Sequence, residues 1–123
     1  MRSYYQQLKT DYTLHPAIYA KTVKTIAAYY QYKKIVDTVN NKSDITYDDV
    51  NERMVADCYI KAIHKSLRDW VNRDYRKACF DHVVKGIGYI ELEEKYYLSI
   101  SSMKRWVQVF VYGVAKELGE EFQ

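Results

Sequence analysis

Proline and glycine are scarce in this chain: one proline and four glycines in 123 residues. An all-β fold of that length needs many tight turns, so their scarcity makes helix the favoured state. Two cysteines cannot build a disulfide scaffold, and they suit a reducing compartment. No apolar run approaches the roughly 18 residues that a membrane span requires, and the opening Met1-Arg2-Ser3-Tyr4-Tyr5 lacks the apolar stretch of a secretory signal. A cytoplasmic location with no membrane partner is therefore expected. Neither sign of charge dominates: 19 Lys and Arg against 16 Asp and Glu leave a net charge of +3. That permits nucleic-acid binding without requiring it.

What is present is an ordinary globular composition, 48% hydrophobic and 28% charged, which excludes a disordered chain and suits one domain. Fourteen tyrosines stand against three phenylalanines. A tyrosine packs its ring while keeping its hydroxyl wet or bonded, so such residues belong at the edges of a thin helical core or on a contact surface.

Along the chain, the polar start through Asp11-Tyr12 is expected to fray. Pro16 suits a first helical turn. Nothing interrupts a helix from Ala17 to about Val39, with Tyr19, Val23, Ile26 and Tyr30 as its apolar stripe. Residues 1–47 hold seven Lys/Arg and three Asp/Glu, so the basic surplus sits there. After the polar loop Asn40–Asp44, Thr46-Tyr47-Asp48-Asp49 has the spacing of a capping box. A second helix is expected over about Asp48–Val71, with Val50, Met54, Ile60, Ile63, Leu67, Trp70 and Val71 inward. Asn72 and Asp74 mark a boundary. A third helix over Tyr75–Lys85 would bury Ala78, Cys79 and His82 or Val83, and Gly86-Ile87-Gly88 would close it.

Residues 88–118 carry the most information. The pattern predicts a short helix over Tyr89–Tyr96, a turn at Tyr97-Leu98, Ser99 as an N-cap, and a long helix from Ile100 to just before Gly119. On a helical wheel Ile100, Met103, Val107, Phe110, Val114 and Leu118 share about one quarter of the circumference. Ser101, Arg105, Gln108, Tyr112 and Lys116 lie opposite, flanked by Ser102 and Lys104. Hydroxyls, cations and an amide are the groups that read base edges and hold phosphates. A short helix, a tight turn and a longer helix with that outer face make a helix-turn-helix. One alternative stays open: Ile90, Leu92, Leu98 and Ile100 also alternate, as a β-hairpin across Glu94-Lys95 would require, which would make the fold α+β.

The run Glu91-Leu92-Glu93-Glu94-Lys95-Tyr96-Tyr97-Leu98-Ser99-Ile100-Ser101-Ser102-Met103-Lys104-Arg105 resembles the helix-turn-helix of sigma-factor region four. The same pattern occurs in phage late-gene transcriptional regulators of the ArpU and RinA type, and the ending Val114–Glu120 is similar to their tail. Glu93 stands where that pattern has a small residue at the helix–helix contact, and Tyr97 where it has glycine. The resemblance implies that Ser99 is the cap, Met103 the buried anchor, and Ser101, Ser102, Lys104 and Arg105 the DNA-facing positions. It further implies a transcriptional activator of late genes, working in the host cytoplasm beside RNA polymerase.

Other chemistry finds little support. Cys79-x-x-His82 sets two ligand types one helical turn apart, but no second pair completes a zinc site, and Cys58 and His64 are poorly spaced for one face. The cysteines read as small buried residues and the histidines as partly buried ones. Asp81-His82 has no accompanying nucleophile, and Gly86-x-Gly88 is too short to cradle a phosphate. No cofactor, metal or enzymatic activity is expected.

The expected fold is thus all-α. Residues 1–73 form a helical part suited to oligomerisation, and residues 74–123 a helix-turn-helix part, within one compact domain. The expected function is sequence-specific binding of double-stranded DNA by a homo-oligomer. Ser99, Ser101, Ser102, Lys104, Arg105 and Gln108 would face the groove, and Arg76, Lys77, Lys85 and Lys95 the flanking phosphates. The alternatives are a small terminase-like packaging subunit and a helical protein–protein adaptor that binds no DNA.

Overall fold

The structure, a computed structural model, describes residues 12–119. Among them it is all-α: α1 (Pro16–Ala27), α2 (Tyr29–Asn40), α3 (Tyr47–Asp69), a 3₁₀ turn (Arg73–Tyr75), α4 (Arg76–Val83), α5 (Tyr89–Tyr96) and α6 (Ile100–Glu117). Residues 89–101 are helical apart from the turn at 97–99, so the hairpin alternative is overturned. No helix of the described residues is long and apolar enough to cross a membrane.

The helix starts follow local chemistry. Pro16 opens α1, with His15 Nδ1 accepting from the Ala17 N–H. Thr46 and Asp49 form a reciprocal capping box on α3: the Asp49 N–H donates to the Thr46 hydroxyl at 3.1 Å and the Thr46 N–H to the Asp49 carboxylate at 3.0 Å. Lys42 donates to the same carboxylate at 2.9 Å. The Thr46 N–H first, and Lys42 after it, hold the Asp49 pKa down at about 2. Asn72 caps the 3₁₀ turn through the Asp74 N–H, and Gly86, at φ +72°, closes the segment after α4.

The expected unbroken helix over 17–39 is two helices. The chain kinks at Ala28 (φ −85°, ψ 12°), where neither glycine nor proline stands. Tertiary contacts select the break. It turns Tyr29 inward, where its hydroxyl meets His64 Nε2 at 2.8 Å and its ring packs edge-on against Phe80. Tyr32 donates its hydroxyl to the Thr25 carbonyl at 2.8 Å, satisfying an acceptor near the broken end of α1. The phase shift leaves Tyr30, expected on the buried stripe, exposed.

The expected inward face of α3 also needs correction. Ile60, Ile63 and Val71 are buried, but Met54 is 61% exposed. Met54 and the exposed Cys58 line a shallow groove with Lys61, Lys65 and Glu117, whereas the exposed Val55 lines another with Tyr32, Ile35 and Tyr59. Cys58 is therefore not the small buried cysteine expected; Cys79 is, and burial pushes its thiol up to about 12. His82 is only half-buried, while Ala78, Cys79 and Val83 take the interior side of α4.

The main core draws on Leu14, Ile26, Tyr29, Ile63, Val71, Cys79, Phe110, Val111 and Val114, so α1, α2, α3, α4 and α6 share it. Helix α6 runs through the centre. Where it crosses α3, Ser66 donates its buried hydroxyl to the Phe110 carbonyl at 2.8 Å. Gly113 lets the helices approach: a Cβ there would fall on the Ser66 hydroxyl and within 2.7 Å of Trp70 Cγ.

Of the expected frayed start, residues 1–11 lie outside the described residues. Tyr12 is docked instead. Its ring packs edge-on against Trp70 and Tyr112 at 6.3 and 5.3 Å between centroids, and its carbonyl accepts from Gln108 Nε2 at 3.0 Å.

Candidate nucleic-acid interface

A second, smaller core gives the C-terminal helices their arrangement. Ala78 of α4, Leu92 of α5 and Met103 of α6 are fully buried against one another. Tyr75, Ile87, Tyr89, Tyr96, Leu98 and Ile100 close around them. Three short apolar contributions, one per helix, fix α4, α5 and the start of α6 as one three-helix unit. Tyr75 adds a stack on Trp106 at 5.8 Å between centroids, and His82 stacks on Tyr89 at 4.0 Å while bonding the Ile87 carbonyl.

The turn between α5 and α6 has the form that a helix-turn-helix needs. Tyr97 adopts the left-handed conformation, φ 57° and ψ 40°, and its N–H bonds the Glu93 carbonyl. The Ser99 hydroxyl accepts from the Ser102 N–H at 3.2 Å and starts α6. Glu93 stays in solvent, because Leu92 alone carries the buried face of α5. A carboxylate at the helix–helix contact therefore does not arise, and Tyr97 occupies the glycine position by accepting its backbone geometry.

The first two turns of α6 present the polar face. Ser99, Ser101 and Lys104 are exposed, and Ser102 and Arg105 are half-buried. Arg105 Nε donates back to the Ser101 carbonyl at 3.3 Å, which lays the guanidinium along the helix surface. The Lys104 ammonium sits 5.6 Å from the Tyr89 ring centre. Beyond this point the expected outer face is interrupted: Gln108 and Tyr112 are half-buried under the Tyr12 segment, a cover supplied from 96 residues away, while Lys116 is exposed as expected. Gln108 thus serves to hold that segment, and the polar face of the first two turns ends near Arg105.

The expected phosphate-contacting cations lie on α4, just after it, and on α5, and Arg76, Lys85 and Lys95 are anchored. Arg76 donates to the Val71 and Arg68 carbonyls at 3.2 and 2.8 Å, capping the end of α3. Asp81 is 4% exposed and accepts from Lys95 at 3.1 Å and from the Tyr96 hydroxyl at 2.5 Å, with Lys85 at 3.5 Å. Burial raises its pKa, but the bonds from Tyr96 and Lys95 outweigh that, so the net shift is downward and the carboxylate stays charged. One carboxylate shared by two ammonium groups leaves a positive balance. A groove of about 450 Å³ is lined by Arg68, Arg76, Lys77 and Lys85 together with Asp81, Phe80 and Tyr96, the residue before the turn; the Arg68 guanidinium also pairs with Asp69 at 2.8 and 3.1 Å. Sequence reasoning missed Asp81 as the organiser of these lysines; its i,i+4 spacing to Lys85 was a readable signal, while the pairing with Lys95 and Tyr96 across helices needs the fold. Among the described residues no group of three or more His, Cys, Asp or Glu side chains is placed to hold a metal.

Compared with protein-family models, with curated proteins and with solved structures, the chain matches none of them.

Proposed function

We propose that this protein binds double-stranded DNA sequence-specifically, inserting the first two turns of α6 into the major groove. The observation that carries the reading is the unit itself: three helices around Ala78, Leu92 and Met103, a left-handed residue at the turn, a capped second helix, and hydroxyls and cations on its open end. In this reading Arg105 reads a guanine edge through its guanidinium. Ser101, Ser102 and Lys104 reach bases or adjacent phosphates. The groove lined by Arg68, Arg76, Lys77 and Lys85 carries the flanking strand, with Lys95 beside it. Gln108 has no part, because it holds Tyr12.

A role in transcription follows from the resemblance to sigma region four and the phage late-gene regulators, with RNA polymerase as the second partner. A single helix-turn-helix binds weakly, so the reading includes a homo-oligomer. The exposed Tyr47, Met54 and Cys58, which share one side of α3, are suited to that contact.

The test is selection of bound duplex from a random pool, followed by mobility shift of the enriched sequence. A defined consensus is expected. Arg105→Ala is expected to lose the preference for that consensus while keeping the wild-type melting curve. A protein that enriches no sequence, or an Arg105→Ala variant that binds the consensus as tightly as wild type, overturns the proposal.

A further inference from the structure

The unit around Ala78, Leu92 and Met103 contains four tyrosines, and three of them are used inside the subunit. Tyr75 stacks on Trp106, Tyr89 stacks on His82, and Tyr96 donates its hydroxyl to the buried Asp81. The fourth, Tyr97, is 91% exposed. It is also the one non-glycine residue with positive φ among the described residues. For a bulky L-residue the left-handed region is a strained conformation, and a glycine would take it freely. The turn therefore carries a strained backbone whose side chain returns almost no packing to the fold. Strain that the fold does not use points to a role outside it.

Its place in the chain points to that role. Tyr97 directly follows Tyr96, which lines the groove, and stands two residues before Ser99, whose hydroxyl caps α6. Resting on the DNA-binding reading given above, we infer that Tyr97 is a DNA-contact residue. Its hydroxyl donates to a phosphate oxygen of the duplex and its ring lies along the adjacent deoxyribose. Tyrosine is among the side chains that make such backbone contacts, which position a protein on the duplex without reading its sequence. The strained turn aims the ring outward for this contact.

Stability and binding then move in opposite directions on substitution. Tyr97→Gly removes both strain and contact. It is expected to melt about 4 °C above wild type and to bind the selected duplex about tenfold more weakly. Tyr97→Phe keeps the ring and the backbone strain but lacks the donor. It is expected to melt as wild type does and to lose about fivefold in affinity. Neither variant is expected to change the preferred sequence. A Tyr97→Gly protein that binds as tightly as wild type, or melts below it, overturns the inference, as does wild-type affinity in Tyr97→Phe. Those outcomes leave the DNA-binding reading intact. A wild-type chain that enriches no duplex overturns both.

Discussion

Gly113 is the residue on which the central crossing depends. A glycine inside a helix ordinarily costs about 0.5–1 kcal/mol relative to alanine, so its replacement in an open helix stabilises. Here an added methyl would collide with the Ser66 hydroxyl and the Trp70 side chain. Ser66 would have to give up its bond to the Phe110 carbonyl, leaving a buried polar group unpaired. Gly113→Ala is therefore expected to destabilise the protein by about 1–3 kcal/mol in denaturant unfolding. A variant as stable as wild type would mean that α3 and α6 sit further apart. Nothing in the linear pattern marks Gly113 as special, because the requirement comes from Ser66 and Trp70, more than 40 positions earlier. Tyr97 is the opposite case. Its departure from glycine is visible in the sequence, and the structure shows it in the left-handed conformation that glycine takes freely.

At the scale of elements, local chemistry was legible and long-range packing was not. The capping box at Thr46 and Asp49, the Ser99 cap, the short α5 and the long α6 follow from side-chain chemistry within a few residues. The break at Ala28 does not, since it is chosen by Tyr29 meeting His64 and Phe80 from distant helices. Likewise the wheel of α6 gave Gln108 and Tyr112 to solvent because it could not foresee Tyr12 folding over them. The start of α3 offers a pH test. The Thr46 N–H and the Lys42 ammonium lower the Asp49 carboxyl to about 2 from its ordinary 3.8. A group lowered on folding stabilises above its unfolded pKa, and that contribution disappears as pH falls toward the folded one. Wild-type protein should therefore lose melting temperature between about pH 4 and pH 2, Asp81 contributing in the same sense. Asp49→Asn is expected to melt lower at neutral pH and to show a shallower acid-side slope. Equal slopes would show that the capping carboxylate is not what titrates.

For the whole molecule, the net charge of +3 is small and does not by itself recommend a nucleic-acid partner. Arrangement matters more. Two lysines share one buried carboxylate, and two arginines and two lysines line a groove with it and with Tyr96. Salt separates the DNA reading from an adaptor whose exposed tyrosines bind another protein, because apolar anchorage responds little to salt. The most direct measurement is the affinity for the selected duplex as a function of salt. If Lys95, Lys104, Arg105 and the groove cations neutralise about six phosphates, affinity falls about a thousandfold between about 50 and 200 mM salt, and the logarithmic slope is near −5. A slope near zero, with binding unchanged across that range, would contradict the account.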